Sequence, residues 1–226
     1  MKKLIIYILI LFCVNVFAQK TYTFDYYTVY EFKQNEEDIN PDLEYSFSNS
    51  KNNNYQLRFR ISDNFVRTII LADFDKMISR AYRPYSNFKD INSLSSLLVN
   101  DTIFNLNTGY RECPESLEET VWNIDYFQNY FTIKNFTNEQ EKELISTTYY
   151  ITKPNDITKN QIYSNSWLGM CFLRFGKYKI ESNEVIVYAY QIKEKIEEGE
   201  VNKDRKRYIR ELKEIQKIDL TINTTN

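Results

Sequence analysis

The side chain that most often carries acid–base and nucleophile chemistry is missing altogether: the 226 residues contain no histidine. Its absence removes the Ser-His-Asp triad, the Cys-His nucleophile pair and every zinc site built on imidazole. Carboxylates remain. In "DFD", Asp73 and Asp75 stand at i and i+2, on one face of a strand end. Paired carboxylates can hold a metal or divide acid and base roles. Two solvated charges beside a turn account for the same pattern, and a carboxylate-only hydrolase is the weakest of three functional readings. The acidic run Glu36, Glu37, Asp38 reads as a solvated loop. "KEKIEEGEVNKDRKR" (193–207) alternates charge sign, as an exposed hairpin or helix does. Neither G-x-x-x-x-G-K nor G-x-G-x-x-G occurs, so no nucleotide site is expected, nor any cofactor, metal or catalytic residue.

Three fragments are similar to the signature of serine β-lactamases and penicillin-binding proteins: "SNSK" (48–51), "SDN" (62–64) and "NTG" (107–109). The context does not fit. In that family the serine opens a helix and its lysine follows one turn later, whereas Ser48 and Lys51 flank a hairpin turn. Asn107 stands where the third fragment needs lysine.

Lys2 and Lys3, the apolar run "LIIYILILFCVNV" (4–16) and "VFA" before Gln19 have the layout of a secretory signal peptide cleaved between Ala18 and Gln19. The run is shorter than the roughly 20 residues of a spanning helix. A lipoprotein acylated at Cys13 would want a small residue where Phe12 stands. The mature chain, 19–226, is then two lysines more acidic than the full chain's −2. It has no apolar stretch long enough to span a bilayer, and its acidity argues against nucleic acid. The expected location is the periplasm, the outer-membrane periphery or the extracellular space. Export leaves Cys113 and Cys171, either a disulfide or two separate thiols.

Tyrosine and phenylalanine, 19 and 15 residues, favour sheets, while Gly and Pro number 4 each and asparagine clusters such as "NSKNNN" supply turns. In "YTFDYYTVYEF" (22–32), Tyr22, Phe24, Tyr26, Tyr30 and Phe32 share one parity, which predicts a strand whose aromatic row lines the interior. Leu43, Tyr45, Phe47 and then Tyr55, Leu57, Phe59, Ile61 alternate on either side of the asparagine turn, a hairpin. Further strands are expected at 65–74, 76–82, 101–106, 121–136, 144–152, 167–175 and 184–192, with a last one at 217–222. Val201, Tyr208, Leu212 and Ile215 leave 202–216 open between helix and strand. The expected fold is a single mainly β domain over 19–226. It is a large twisted antiparallel sheet, a meander, open or curled as a partial barrel around a helix or loop.

The signal ending "FAQ", the Tyr- and Asn-rich meander and "YSFSNSKNNNYQLRF" (45–59) resemble uncharacterised secreted β-rich proteins of Gram-negative bacteria with AT-rich genomes. The resemblance covers the signal and the first third of the mature chain and carries no functional residue. A related secreted family named for a Gly-Leu-Pro-Gly-Leu-Ile motif has no match here; "WLGM" (167–170) lacks the proline. Three functions follow. The first is a non-enzymatic envelope protein binding an apolar or amphipathic ligand such as lipid. The second is a module recognising an envelope protein through a Tyr-rich face or sheet edge. The third is the carboxylate hydrolase.

Overall fold

A computed structural model describes residues 20–63, 65–73, 75–76, 78–84, 98–105, 121–136, 144–156, 184–193 and 205–224. They form eleven strands: β1 (Lys20–Asn35), β2 (Asp42–Asn49), β3 (Asn52–Ser62), β4 (Phe65–Asp73), β5 (Ile78–Pro84), β6 (Leu98–Asn105), β7 (Val121–Phe127), β8 (Tyr130–Phe136), β9 (Leu144–Pro154), β10 (Glu184–Lys193) and β11 (Lys206–Thr224). No helix occurs among the described residues. All eleven strands belong to one sheet in the order β6-β5-β4-β3-β2-β1-β11-β10-β9-β8-β7. The chain is mainly β, as its alternation predicts. The sheet is open between β6 and β7 rather than closed as a barrel.

Every neighbouring pair is antiparallel. Counting directions outward from the β1–β11 pair has a consequence. β6 and β7, consecutive in the chain, run the same way, so the end of one and the start of the other lie at opposite ends of the sheet.

The expected hairpin forms in register, with Leu43 opposite Ile61, Tyr45 opposite Phe59 and Phe47 opposite Leu57. Asparagine builds its turn. The Asn49 Oδ1 accepts the backbone N–H of Lys51 at 2.9 Å and of Asn52 at 3.1 Å, an Asx turn. One core cluster spans β1–β5 and the end of β11, holding Tyr22, Phe24, Phe47, Leu57, Phe59, Ile69, Leu71 and Ile222, while Phe131, Ile133, Tyr150, Val185 and Ile186 are buried in β8–β10. Tyr45 stacks on Phe59 at 4.9 Å, and Phe24 meets Tyr55 edge-on at 5.5 Å. Such ring pairs add roughly 0.5–1.5 kcal/mol each beyond their burial.

The aromatic row of β1 is buried throughout, none of its five members being more than 7% exposed. It is not, however, a single wall. Tyr22 and Phe24 share their cluster with Tyr27 and Val29, which belong to the other parity. The register against β11 slips between Phe24 and Tyr26. Asp25, at the slip, turns its carboxylate to the backbone N–H of Ser50 at 2.7 Å. Beyond this kink Tyr30 and Phe32 face the opposite side from the main cluster.

Residues 206–224 are one 19-residue strand, so the helical spacing of Tyr208, Leu212 and Ile215 does not decide the outcome. β11 lies between β1 and β10, pairing with β1 over 207–224 and with β10 over 206–211. Its register against β1 slips twice, each time leaving one extra residue in β11. Those bulges are why its apolar residues fail to alternate.

Candidate functional site

Two polar groups are built into the sheet. At the start of β1, Asp73 of β4 is 1% exposed and collects three donors. They are Lys20 Nζ at 2.5 Å, the Tyr22 hydroxyl at 2.7 Å and the Lys76 N–H at 3.2 Å. Burial opposes its charge, but these donors prevail and hold its carboxyl below the usual range. The partner foreseen for it, Asp75, is exposed in the following turn. The two carboxylates thus have different surroundings, and among the described residues no group of three or more Cys, Asp or Glu could hold a metal ion.

At the other end, Glu44 of β2 is 6% exposed, and its Oε2 accepts from Arg60 Nη2 of β3 and Arg210 Nη2 of β11, both at 2.9 Å. The Arg60 guanidinium lies 3.9 Å from the centre of the Phe32 ring, and that of Arg210 lies 5.9 Å away. The group therefore ties β3, β2, β1 and β11 together. Burial opposes the Glu44 charge, and Arg210, Arg58 and Arg60 overcome it, keeping the carboxyl below its usual range. Beside it the Tyr30 hydroxyl donates to the Ile186 carbonyl of β10 at 2.9 Å, reaching across β11. Both groups are internally paired, and their chemistry is that of staples.

A cluster of exposed rings stands at the end of the β7–β8 hairpin. Its turn is only Gln128 and Asn129, since Phe127 pairs with Tyr130. Asn129 has φ 68°, a left-handed conformation that asparagine tolerates. Its carbonyl accepts the Thr152 N–H at 2.9 Å, which pins the turn to β9. The Phe127 and Tyr130 rings stack at 4.4 Å. Tyr130 lies opposite Ile151 of β9, and Ile151 opposite Tyr188 of β10. Tyr126, 52% exposed, lies on the other face beside Phe131, whereas Phe127 is 50% exposed and Tyr130 and Ile151 38% each on this one.

The same face continues as a band of half-buried rings. Tyr149 stacks on Tyr190 at 4.9 Å, Tyr188 lies 5.6 Å from Tyr190, and the Lys206 ammonium sits 4.9 Å from the Tyr190 ring. Apolar ring faces with hydroxyl edges are the composition of protein-recognition patches. The sequence suggests a Tyr-rich face in general terms without pointing to the residues of this band. Its signals are the aromatic pair flanking a two-residue turn in "YFQNYF" and the i, i+2 tyrosines of "VYAYQ".

Of the remaining expectations, Ser48 is buried in β2 and Lys51 exposed in the turn, so the S-x-x-K fragment forms no site. Glu36 and Glu37 sit in an exposed turn and pair with Lys206 at 4.0 Å and Arg205 at 2.6 Å. Cys113, Cys171, Ala18, Gln19, the strand expected at 167–175 and the "NTG" fragment lie outside the described residues. No helix among the described residues is long and apolar enough to cross a membrane. No family model, curated protein or solved structure matches the chain.

Proposed function

We propose that the protein is an exported, non-enzymatic module of the cell envelope that docks a protein partner on its aromatic band. The observation that carries this reading is the shared exposed face of Phe127, Tyr130 and Ile151, which follow one another across β7, β8 and β9. A face of that kind fits hot-spot recognition, in which a few aromatic anchors carry most of the binding energy. The β1 row, expected to line the interior, is consumed by the sheet's own packing and leaves no aromatic wall there for a ligand. Lipid binding at the band is the second reading, favoured by tyrosine hydroxyls at the rim of apolar rings.

The test is a photo-crosslinking amino acid at position 127 of the exported chain, with products identified by mass spectrometry. A discrete protein adduct is expected. Phe127→Ser combined with Tyr130→Ser, with the crosslinker moved to position 149, should abolish the adduct while the chain stays folded, at a cost of about 1–3 kcal/mol for the lost ring pair. An adduct of lipid alone would move the assignment to the second reading. Undiminished protein capture by the double variant, probed from position 149, would refute the docking surface.

A further inference from the structure

Among the described residues, three that are not glycine have a positive φ: Asp63 at 50°, Asn129 at 68° and Tyr208 at 50°. The first two lie in the turns between β3 and β4 and between β7 and β8, and both are types that tolerate a left-handed backbone. Tyr208 fits neither description. It is bulky, and it lies inside β11. In a bulky residue this conformation is a genuine outlier.

The ladder shows what imposes it. Arg207 pairs with Gln191 of β10 and Arg210 with Ala189, so Tyr208 and Ile209 stand together against Tyr190 alone. That is a bulge, and its left-handed position ordinarily holds glycine. Ile209 and Arg210 are buried, whereas Tyr208 is 52% exposed. Among the described residues its hydroxyl makes no hydrogen bond and its ring stacks on no other, unlike the rings of Tyr149, Tyr188 and Tyr190. The chain thus holds a tyrosine where glycine would be unstrained, and no contact of that side chain offsets the cost. Strain of this kind gathers at functional sites, and bulges serve to re-aim a side chain.

We infer that the bulge presents Tyr208 as an anchor for the docked protein, its ring entering an apolar pocket of the partner and its hydroxyl donating to an acceptor there. Charge is not what remains to be matched at this point. Arg205 and Lys206 already face Glu37 at 2.6 Å and Glu36 at 4.0 Å. Lys206, two residues before Tyr208, sits over the Tyr190 ring, which puts the start of β11 at the margin of the aromatic band. From β8 to β11 is three strand spacings, roughly 14 Å. A partner of ordinary footprint spans that distance. The inference rests on the docking reading and adds to it a second anchor and the chemistry that receives it.

Four forms of the exported chain test it, each with the photo-crosslinker at position 149: unaltered at 208, Tyr208→Phe, Tyr208→Ala and Tyr208→Gly. Glycine is normally the less stable of the two small residues within a strand. At a left-handed position the order inverts, and Tyr208→Gly should melt roughly 2–4 °C above Tyr208→Ala. Both should lose the protein adduct, since truncating such an anchor weakens binding by about 30-fold or more. Tyr208→Phe keeps the ring and gives up one hydrogen bond, so its binding should weaken by roughly 2- to 10-fold. The glycine variant excludes misfolding as the cause, because it relieves strain while removing the ring. An alanine variant that melts at or above the glycine variant overturns the inference, since the backbone would not be strained. Undiminished capture by both truncations also overturns it and leaves the docking reading intact. If the chain unaltered at 208 gives no protein adduct from position 127 or 149, the docking reading falls and this inference falls with it.

Discussion

Replacing Glu44 with glutamine keeps its shape and removes its charge. The residue's side chain is 8% exposed and that of Arg210 is 7%, so this pair sits in low dielectric, while Arg60 is 36% exposed and is substantially screened. Breaking a buried pair by deleting one partner costs about 3–5 kcal/mol, because the surviving charge remains buried without compensation. The screened pair adds only about 0–1 kcal/mol. Against a typical total of roughly 5–15 kcal/mol, Glu44→Gln removes about a fifth or more of the stability. For a chain of this size the melting temperature should fall by roughly 6–20 °C. Urea denaturation followed by tryptophan fluorescence, with a thermal melt, reads both quantities. The double variant Glu44→Met, Arg210→Met should recover much of the loss, since an apolar pair of similar volume carries no desolvation cost. A Glu44→Gln protein within about 1 kcal/mol of wild type would show that Arg210 is not held by Glu44, and the staple reasoning would fall with it.

Three further outcomes are expected. Phe24→Ala, at a site 1% exposed, should destabilise by about 3–5 kcal/mol in the same urea assay. Asp73 has its folded carboxyl below the unfolded value, so its contribution is complete above the unfolded pKa of about 3.9 and fades as pH falls through the folded one. Asp73→Asn, measured by urea midpoints at descending pH, should be less stable at neutral pH and flatter in acid. The Tyr27 hydroxyl, buried and shared between Glu214 and Gln216, is pushed up to about 12, and burial holds Tyr22, Tyr30 and Tyr150 higher still. These tyrosines favour the folded state until pH rises past about 10, the unfolded value, and that preference is lost above it. A spectrophotometric titration should show exposed tyrosines ionising first and the buried ones only with cooperative unfolding.

The hairpin at 43–61 was readable because its alternation and its asparagine turn agree with each other. Each signal alone would leave the register ambiguous. The kink at Asp25 was not readable, since a side chain that caps another strand's turn is invisible to the periodicity of its own. β11 misled for a related reason: two bulges scramble its alternation until Tyr208, Leu212 and Ile215 imitate a helix face, and only its two neighbours settle its conformation. Asp73 and Asp75 illustrate the limit for sites. Spacing put them together, but the end of β4 falls between them, so one is wrapped by Lys20 and Tyr22 while the other is left in water. The aromatic band draws on β7 to β10, and no local window of sequence contains its parts.

The pairing of Lys20 with Thr224 places the two ends of the sheet-forming chain side by side. Joining those ends and opening the chain between Asn105 and Val121 would give a circular permutant in which spatial order and chain order coincide, β7 through β11 followed by β1 through β6. Every strand would then pair with its sequence neighbour, and the pairing that now spans some two hundred residues would become local. Folding rates fall as contacts grow more distant along the chain. In the natural order, each half can zip up by short hairpins, while the β1–β11 seam must wait for the last strand to be delivered. Refolding after dilution from urea should therefore be faster in the permutant than in the native chain. The seam is also where the Glu44 staple crosses, so the slowest contact to form is among the most firmly held once made.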